Sequence, residues 1–401
     1  MLSNRQLFSR YMGLPSVVNE PVEIVGAKGI HLYDDAGNEY IDLVSGVSVS
    51  NVGHAHPEVI EAVRKQSEQY MHLMVYGKFV QAPQVMLAER LASLLPEKLR
   101  SVYFVNSGSE AIEGAIKLAR RVSGRTELIG FQNAYHGGSM GALSLLGNEH
   151  LKNAFRPLLP DTRMLQFNNI KALEQITERT ACVLIEPIQA EAGIILPAPR
   201  YLEALRVRCN ETGAMLIFDE IQMGMGRTGK MFAFEHSGVV PDILCLAKAF
   251  GGGMPLGAFI SSAENMSKLT YEPELGHITT FGGHPVCCAA SMAAIEVIVK
   301  NKLIEDADRK GKMFAEELIQ LNGVKEIRQA GLMLGVELID ESLTDVIMHE
   351  FSLNRLIVDR FLFNPTTFRI APPLTITDHE ISKSVQLIKK CLFNAINKTK
   401  P

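Results

Sequence analysis

Tryptophan is absent from this chain, and cysteine is scarce at six residues in 401. The missing tryptophan excludes nothing by itself. The cysteines exclude more, because they show no metal-ligand spacing and two of them, Cys287 and Cys288, are adjacent. A disulfide frame is not expected, and a reducing cytoplasm is. Long apolar runs are also lacking, so no membrane span is expected, and the opening Met-Leu-Ser-Asn-Arg-Gln-Leu has no apolar signal core. There is no excess of positive charge either. The formal net charge is −4, and no basic stripe suggests nucleic acid as a partner. The histidines form no zinc-like group beyond His54-Ala-His56, so no metal is expected. What remains is a globular composition, 47% hydrophobic, in a chain longer than one core usually supports.

Taken in order, residues 1–20 have no clear period. Residues 29–43 read as a hairpin turning at Asp34-Asp-Ala-Gly-Asn38, and a Gly/Ser/His loop follows over 44–56. Helices are expected over 57–72 and 83–95, the first with proline in its opening turn. From there strand, turn and helix repeat. The strands fall at 101–106, 127–131, 181–186, 214–219 and 243–247, with helices at 107–122 and 200–212. Continuous apolar strands alternating with helices imply a buried, mostly parallel sheet covered on both faces. Ligands in such a fold collect beyond the carboxyl ends of the strands. After Pro285 the texture changes to helices, a strand pair interrupted at Ala330-Gly331, the strand Phe368-Arg-Ile and a closing helix, a smaller α+β unit. The expected division is an N-terminal segment at 1–50 packing with the small domain, a large domain at 51–294 and the small domain at 295–401. No Gly/Ser/Pro linker separates these parts, so rigid packing is expected.

Several strand ends carry chemistry. Lys248 lies between an apolar run and Gly251-Gly-Gly253. Burial would lower its ammonium pKa and leave an amine able to condense with a carbonyl; a surface lysine before a flexible loop fits the stretch equally well. Ser107-Gly-Ser-Glu-Ala111 stands between strand and helix with capping-box spacing from Ser107 to Glu110. It is either an ordinary cap or an anion site suited to phosphate. Asp219 ends the strand Leu216-Ile-Phe-Asp, where a buried carboxylate needs a partner or a task. Period two puts Ile221 on its side, next to Gln222. Tyr135, in Ala134-Tyr-His-Gly-Gly138, can stack on a flat ring or simply pack a turn. Glu186 and Glu191 sit at another strand end. A phosphate cradle, an aromatic platform, a strand-end aspartate and a Gly-flanked lysine together make the set that pyridoxal phosphate requires.

The order and spacing of Ile217-Phe-Asp-Glu-Ile-Gln, Gly224-Met-Gly-Arg-Thr-Gly229 and Leu246-Ala-Lys-Ala-Phe-Gly-Gly-Gly253 resemble the class III (ω-amino-acid) aminotransferases over nearly the whole chain. The nearest look-alikes are acetylornithine, ornithine and 4-aminobutyrate aminotransferases. The resemblance implies a fold-type-I pyridoxal-phosphate transferase. Lys248 would hold the cofactor covalently and shuttle the proton, and Asp219 would pair with the ring nitrogen. Ile221 and Tyr135 would bracket the ring, with His136 beside it and Gln222 near the phenolic oxygen. Ser107, Gly108 and Ser109 would bind the phosphate. Thr280 would reach the phosphate of a neighbouring subunit, which makes the active unit a homodimer. Arg369 would clasp a substrate carboxylate, and Glu191 would cover it when an ω-amine binds. The implied reaction moves an amino group from an ω-amino donor to 2-oxoglutarate in a ping-pong cycle. An intramolecular aminomutase and a catalytically silent cofactor-binding regulator are the alternatives. Retention of Lys248 and Asp219 argues against the silent one. Three departures stand out. Gly138 replaces the arginine that grips a donor's distal carboxylate in several relatives, which counts against acetylornithine and ornithine. Ser109 replaces threonine, and His284 replaces asparagine.

Overall fold

The computed structural model describes residues 2–16 and 21–399. Residues 1, 17–20 and 400–401, which belong to the expected N-terminal segment and small domain, lie outside the described residues. A seven-stranded sheet forms the centre, in the order Ser101–Val105, Gly257–Ser261, Ile243–Leu246, Met215–Asp219, Thr180–Ile185, Glu127–Phe131, Thr162–Leu165. Only Gly257–Ser261 runs antiparallel to its neighbours. The strands Glu127–Phe131, Thr180–Ile185 and Met215–Asp219 are buried at every position. That double-sided burial is why they read as unbroken apolar runs rather than as alternation.

The helix Gly108–Ser123 shows how the sheet is covered. Its inward face is Ala111, Ile112, Ala115, Ile116, Leu118 and Ala119, recurring at helical spacing. Small residues let it lie close, and a Cβ at Gly114 would fall 2.2 Å from the Phe259 ring. Gly124, in the left-handed region at φ 68°, ends it. The capping box expected at its start is only half formed. Ser107 Oγ accepts from the Glu110 amide at 3.2 Å, but the Glu110 carboxylate turns to the Asn106 amide instead.

Two four-stranded sheets flank this core. Val324–Gln329, Leu334–Leu338, Asn364–Ile370 and Asp359–Phe361 form one, fully antiparallel. In the other, Ile24–Lys28, His31–Asp34 and Glu39–Asp42 are joined by Leu356–Ile357, parallel to Glu39–Asp42. The structure adds elements with no sequence expectation, among them the helix Asn4–Tyr11, the edge strand Thr162–Leu165 and the strand Gly257–Ser261.

Arg227 ties these parts together. It is fully buried and donates to the Leu332 and Pro372 carbonyls, Ser45 Oγ and Asn51 Oδ1. Burial pulls its pKa down to about 9, with Asp42 opposing. Arg227→Leu fills the volume but leaves acceptors from distant segments unpaired, so a loss of about 3 kcal/mol is expected. A urea midpoint that does not move would refute this.

Candidate active site

The site lies where the fold places it, beyond the carboxyl ends of the parallel strands. The turns after Val105, Phe131, Ile185, Asp219 and Leu246 bound a cavity of about 470 Å³. Ser107, Gly108, Ser109, Tyr135, His136, Asp219, Ile221, Gln222 and Lys248 all line it.

Lys248 follows the strand Ile243–Leu246 and opens a short 3₁₀ turn. Its φ is 51°, the left-handed region that a lysine adopts only under constraint from its surroundings. Its Nζ donates to Gln222 Oε1 at 3.2 Å. Burial pulls the Lys248 pKa down, the Glu191 charge opposes this, and Arg369 reinforces it. An amine held this way loses its proton more readily than one in water.

Asp219 has the partners its burial demands. Oδ2 lies 2.7 Å from His136 Nδ1, and Oδ1 accepts from the Ile221 amide at 3.0 Å. Because a carboxylate can only accept, the Nδ1 proton belongs on the His136 side. Glu186, at the next strand end, also lines the cavity. It accepts from the Tyr135 and Ala190 amides, at 3.0 and 2.9 Å. Burial pushes its pKa up to about 7, with His136 opposing and Asp219 adding to the rise.

The remaining parts fit a flat ring carrying a phosphate. Ser107–Ser109 lead into the first turn of a helix whose inward dipole favours an anion. The Gly138 amide donates to Ser109 Oγ at 3.2 Å, which brings the turn after Phe131 against the cradle. Only glycine fits at 137, where φ is 128° and a Cβ would fall 2.0 Å from Ser109 Oγ. Gln222 Nε2 and His136 Nε2 are buried without partners among the described residues. Polar atoms left so are expected to meet a bound group, and these residues therefore fit pyridoxal phosphate.

A second cluster adjoins this one. Arg369 is 1% exposed and donates through Nη2 to Glu191 Oε1 at 2.7 Å. The Phe361 ring lies 4.6 Å from the guanidinium carbon, and Glu191 Oε2 accepts from the Leu362 amide at 3.1 Å. Arg369 Nη1 has no partner among the described residues. Thr280 is not part of the assembly; it is exposed and outside its own chain's cavity. Sequence reasoning assigned no role to Val49, Glu186 or Asp359. Val49 reaches the cavity through Ser45–Ser48, where Ser45, Val47 and Ser48 all have positive φ. A loop over 44–56 is expected from the sequence, but its left-handed backbone and the direction in which it carries Val49 are not. The strand-end position of Glu186 is visible in the sequence, but its place in the cavity beside His136 and Asp219 is not.

Comparison with known proteins agrees with this geometry. The family model for class-III aminotransferases matches residues 14–392. The acetylornithine aminotransferase of Methanopyrus kandleri is 41% identical over 383 residues, 95% of this chain and 96% of that protein. That of Methanocaldococcus jannaschii is 41% identical over 394 residues, 94% of this chain and 95% of that protein. Among solved structures, the ornithine aminotransferase of Toxoplasma gondii superposes with a TM-score of 0.90 at 30% identity. The match covers 99% of this chain and 96% of that one, and pyridoxal phosphate partly occupies that protein's active site.

Proposed function

The chain belongs to the class-III aminotransferases, pyridoxal-phosphate-dependent transaminases of fold type I, and we propose that it moves an amino group from an ω-amine donor of the acetylornithine or ornithine type to 2-oxoglutarate in a ping-pong cycle. The observation that carries this reading is the buried Glu191–Arg369 pair close enough to Lys248 to act on its charge. When bound, the cofactor supplies an electron sink for the carbon that loses its proton.

The chain's own residues do the rest. Lys248 Nζ would anchor the cofactor and, as a free amine, would take the proton from the donor carbon. Asp219, fixed by His136 and the Ile221 amide, holds a negative charge where the ring nitrogen needs its proton. Of the residues that line the cavity, Tyr135 and Ile221 would bracket the ring and Ser107, Gly108 and Ser109 would take the phosphate, while Gln222 sits beside Lys248. An ω-amine brings no carboxylate to Arg369, so Glu191 neutralises it. The acceptor's carboxylate then displaces Glu191 and takes the guanidinium in a two-pronged contact. Gly138 leaves open space, so a donor's distal carboxylate meets no arginine there. The same reading has two copies sharing each site, with the exposed Thr280 turned to the neighbour. Its six buried free cysteines suit a reducing cytoplasm.

A donor panel with 2-oxoglutarate as acceptor, read as glutamate formed, tests the function. Conversion of a donor with no added keto acid would mark an aminomutase instead. The Glu191–Arg369 exchange has its own test. Glu191→Ala is expected to slow the ω-amine half-reaction roughly tenfold or more, because Arg369 loses its hydrogen-bonded carboxylate, and to spare the glutamate half-reaction. Arg369→Ala reverses the pattern. Single-turnover rates decide it, and equal losses in both halves for the Glu191 variant would leave a permanent salt bridge.

A further inference from the structure

Arg369 faces a second carboxylate that the reaction above does not use. Asp359 and Arg369 are paired positions in the antiparallel ladder between Asp359–Phe361 and Asn364–Ile370, so their side chains stand on one face. Asp359 Oδ1 lies 3.3 Å from Arg369 Nε, and neither atom has a hydrogen-bond partner among the described residues. On the other flank Arg369 pairs with Gly335, which brings no side chain. One guanidinium therefore stands between Glu191 at Nη2 and Asp359 at Nε, with Nη1 left open.

We propose that Asp359 is a specificity-determining residue, a standing negative charge at the Nε edge of Arg369 that weakens its hold on any substrate carboxylate and tilts the site toward amines with no carboxylate beside the reacting carbon. The proposal rests on Arg369 being the carboxylate clasp. Glu191 sits on a loop and can swing aside as an anion arrives. Asp359 is held by strand register and stays. An α-amino acid or a 2-oxo acid thus meets a like charge across the guanidinium whenever Asp359 is ionised, whereas an ω-amine does not.

Protonation of Asp359 lifts that penalty. The Asp359 side chain is 35% exposed, and its partial burial pushes its pKa up to about 6; Arg369 opposes this most, Glu191 adds to the rise and Lys248 opposes it. These three, from the neighbouring strand, the loop after Ile185 and the turn after Leu246, are the charged groups that act on it most. An incoming carboxylate raises the Asp359 pKa further, so its binding takes up a proton and tightens as pH falls toward 6.

Glutarate, which has neither amine nor keto group, probes this by calorimetry on the holoenzyme between about pH 5.5 and about pH 8. Wild-type affinity is expected to climb as pH falls. Asp359→Asn is expected to lose that climb and to bind glutarate roughly tenfold more tightly near pH 8. Asp359→Glu keeps the charge and should keep the climb. The kcat/KM ratio of glutamate to N-acetylornithine is expected to rise about tenfold in the Asn variant, nearly all of it from glutamate. A flat wild-type profile overturns the proposal, as does weaker or unchanged glutarate binding in Asp359→Asn, which would make Asp359 a prop for the guanidinium. Arg369→Ala separates the two ideas. If it binds glutarate like wild type, the clasp itself is wrong; if it loses glutarate while Asp359→Asn matches wild type, only the role of Asp359 falls.

Discussion

Lys248→Ala is expected to remove the visible absorbance of the covalently held cofactor and to lower turnover by roughly 10⁴-fold or more, because in the proposed mechanism one side chain supplies both the anchor and the proton transfer. Lys248 lines the cavity, its amine 3.2 Å from Gln222 Oε1 and its pKa drawn down by burial. Among the described residues no other lysine lines that cavity. Stability is expected to hold or rise, since a desolvated amine is removed from a site built for chemistry rather than for folding. Absorbance spectra, thermal melting and borohydride reduction followed by peptide mapping check this together. A reduced adduct on another lysine would overturn the assignment.

Asp219→Asn is expected to cost roughly 10²–10³-fold in turnover while leaving the fold intact, the scale of losing one preorganised charge in a dry site. Asparagine keeps a carbonyl oxygen for the His136 proton or the Ile221 amide, so shape survives. The negative charge does not, and in the proposed mechanism that charge would keep the ring nitrogen protonated. Cofactor should still bind, which separates this variant from a misfolded one. Turnover within a few-fold of wild type, with cofactor bound, would remove Asp219 from the chemistry.

Much of this was legible before any coordinates. Strands buried on both faces must be continuously apolar, so Thr180–Ile185, Met215–Asp219 and Ile243–Leu246 announced themselves, and with them the polar residues where the runs stop. Asp219 and Lys248 are charges at the ends of apolar strands, a local feature that composition alone exposes. The Ser107–Glu110 spacing likewise marked a helix start, although Asn106 proved to be the partner of the Glu110 carboxylate.

Tertiary structure decided what depends on residues far apart in the chain. His136 meets Asp219 across 83 positions, and Glu191 meets Arg369 across 178. Asp359 looks like any polar strand residue until the ladder register sets it opposite Arg369. Arg227 finds acceptors on segments that no periodicity connects. The left-handed backbone at Lys248 is of the same kind, because a lysine has no intrinsic preference for it and the surrounding fold must hold it there. Periodicity reports which face of an element is buried. It carries no information about which distant side chain will share that burial, and in this site the shared burial sets the charges.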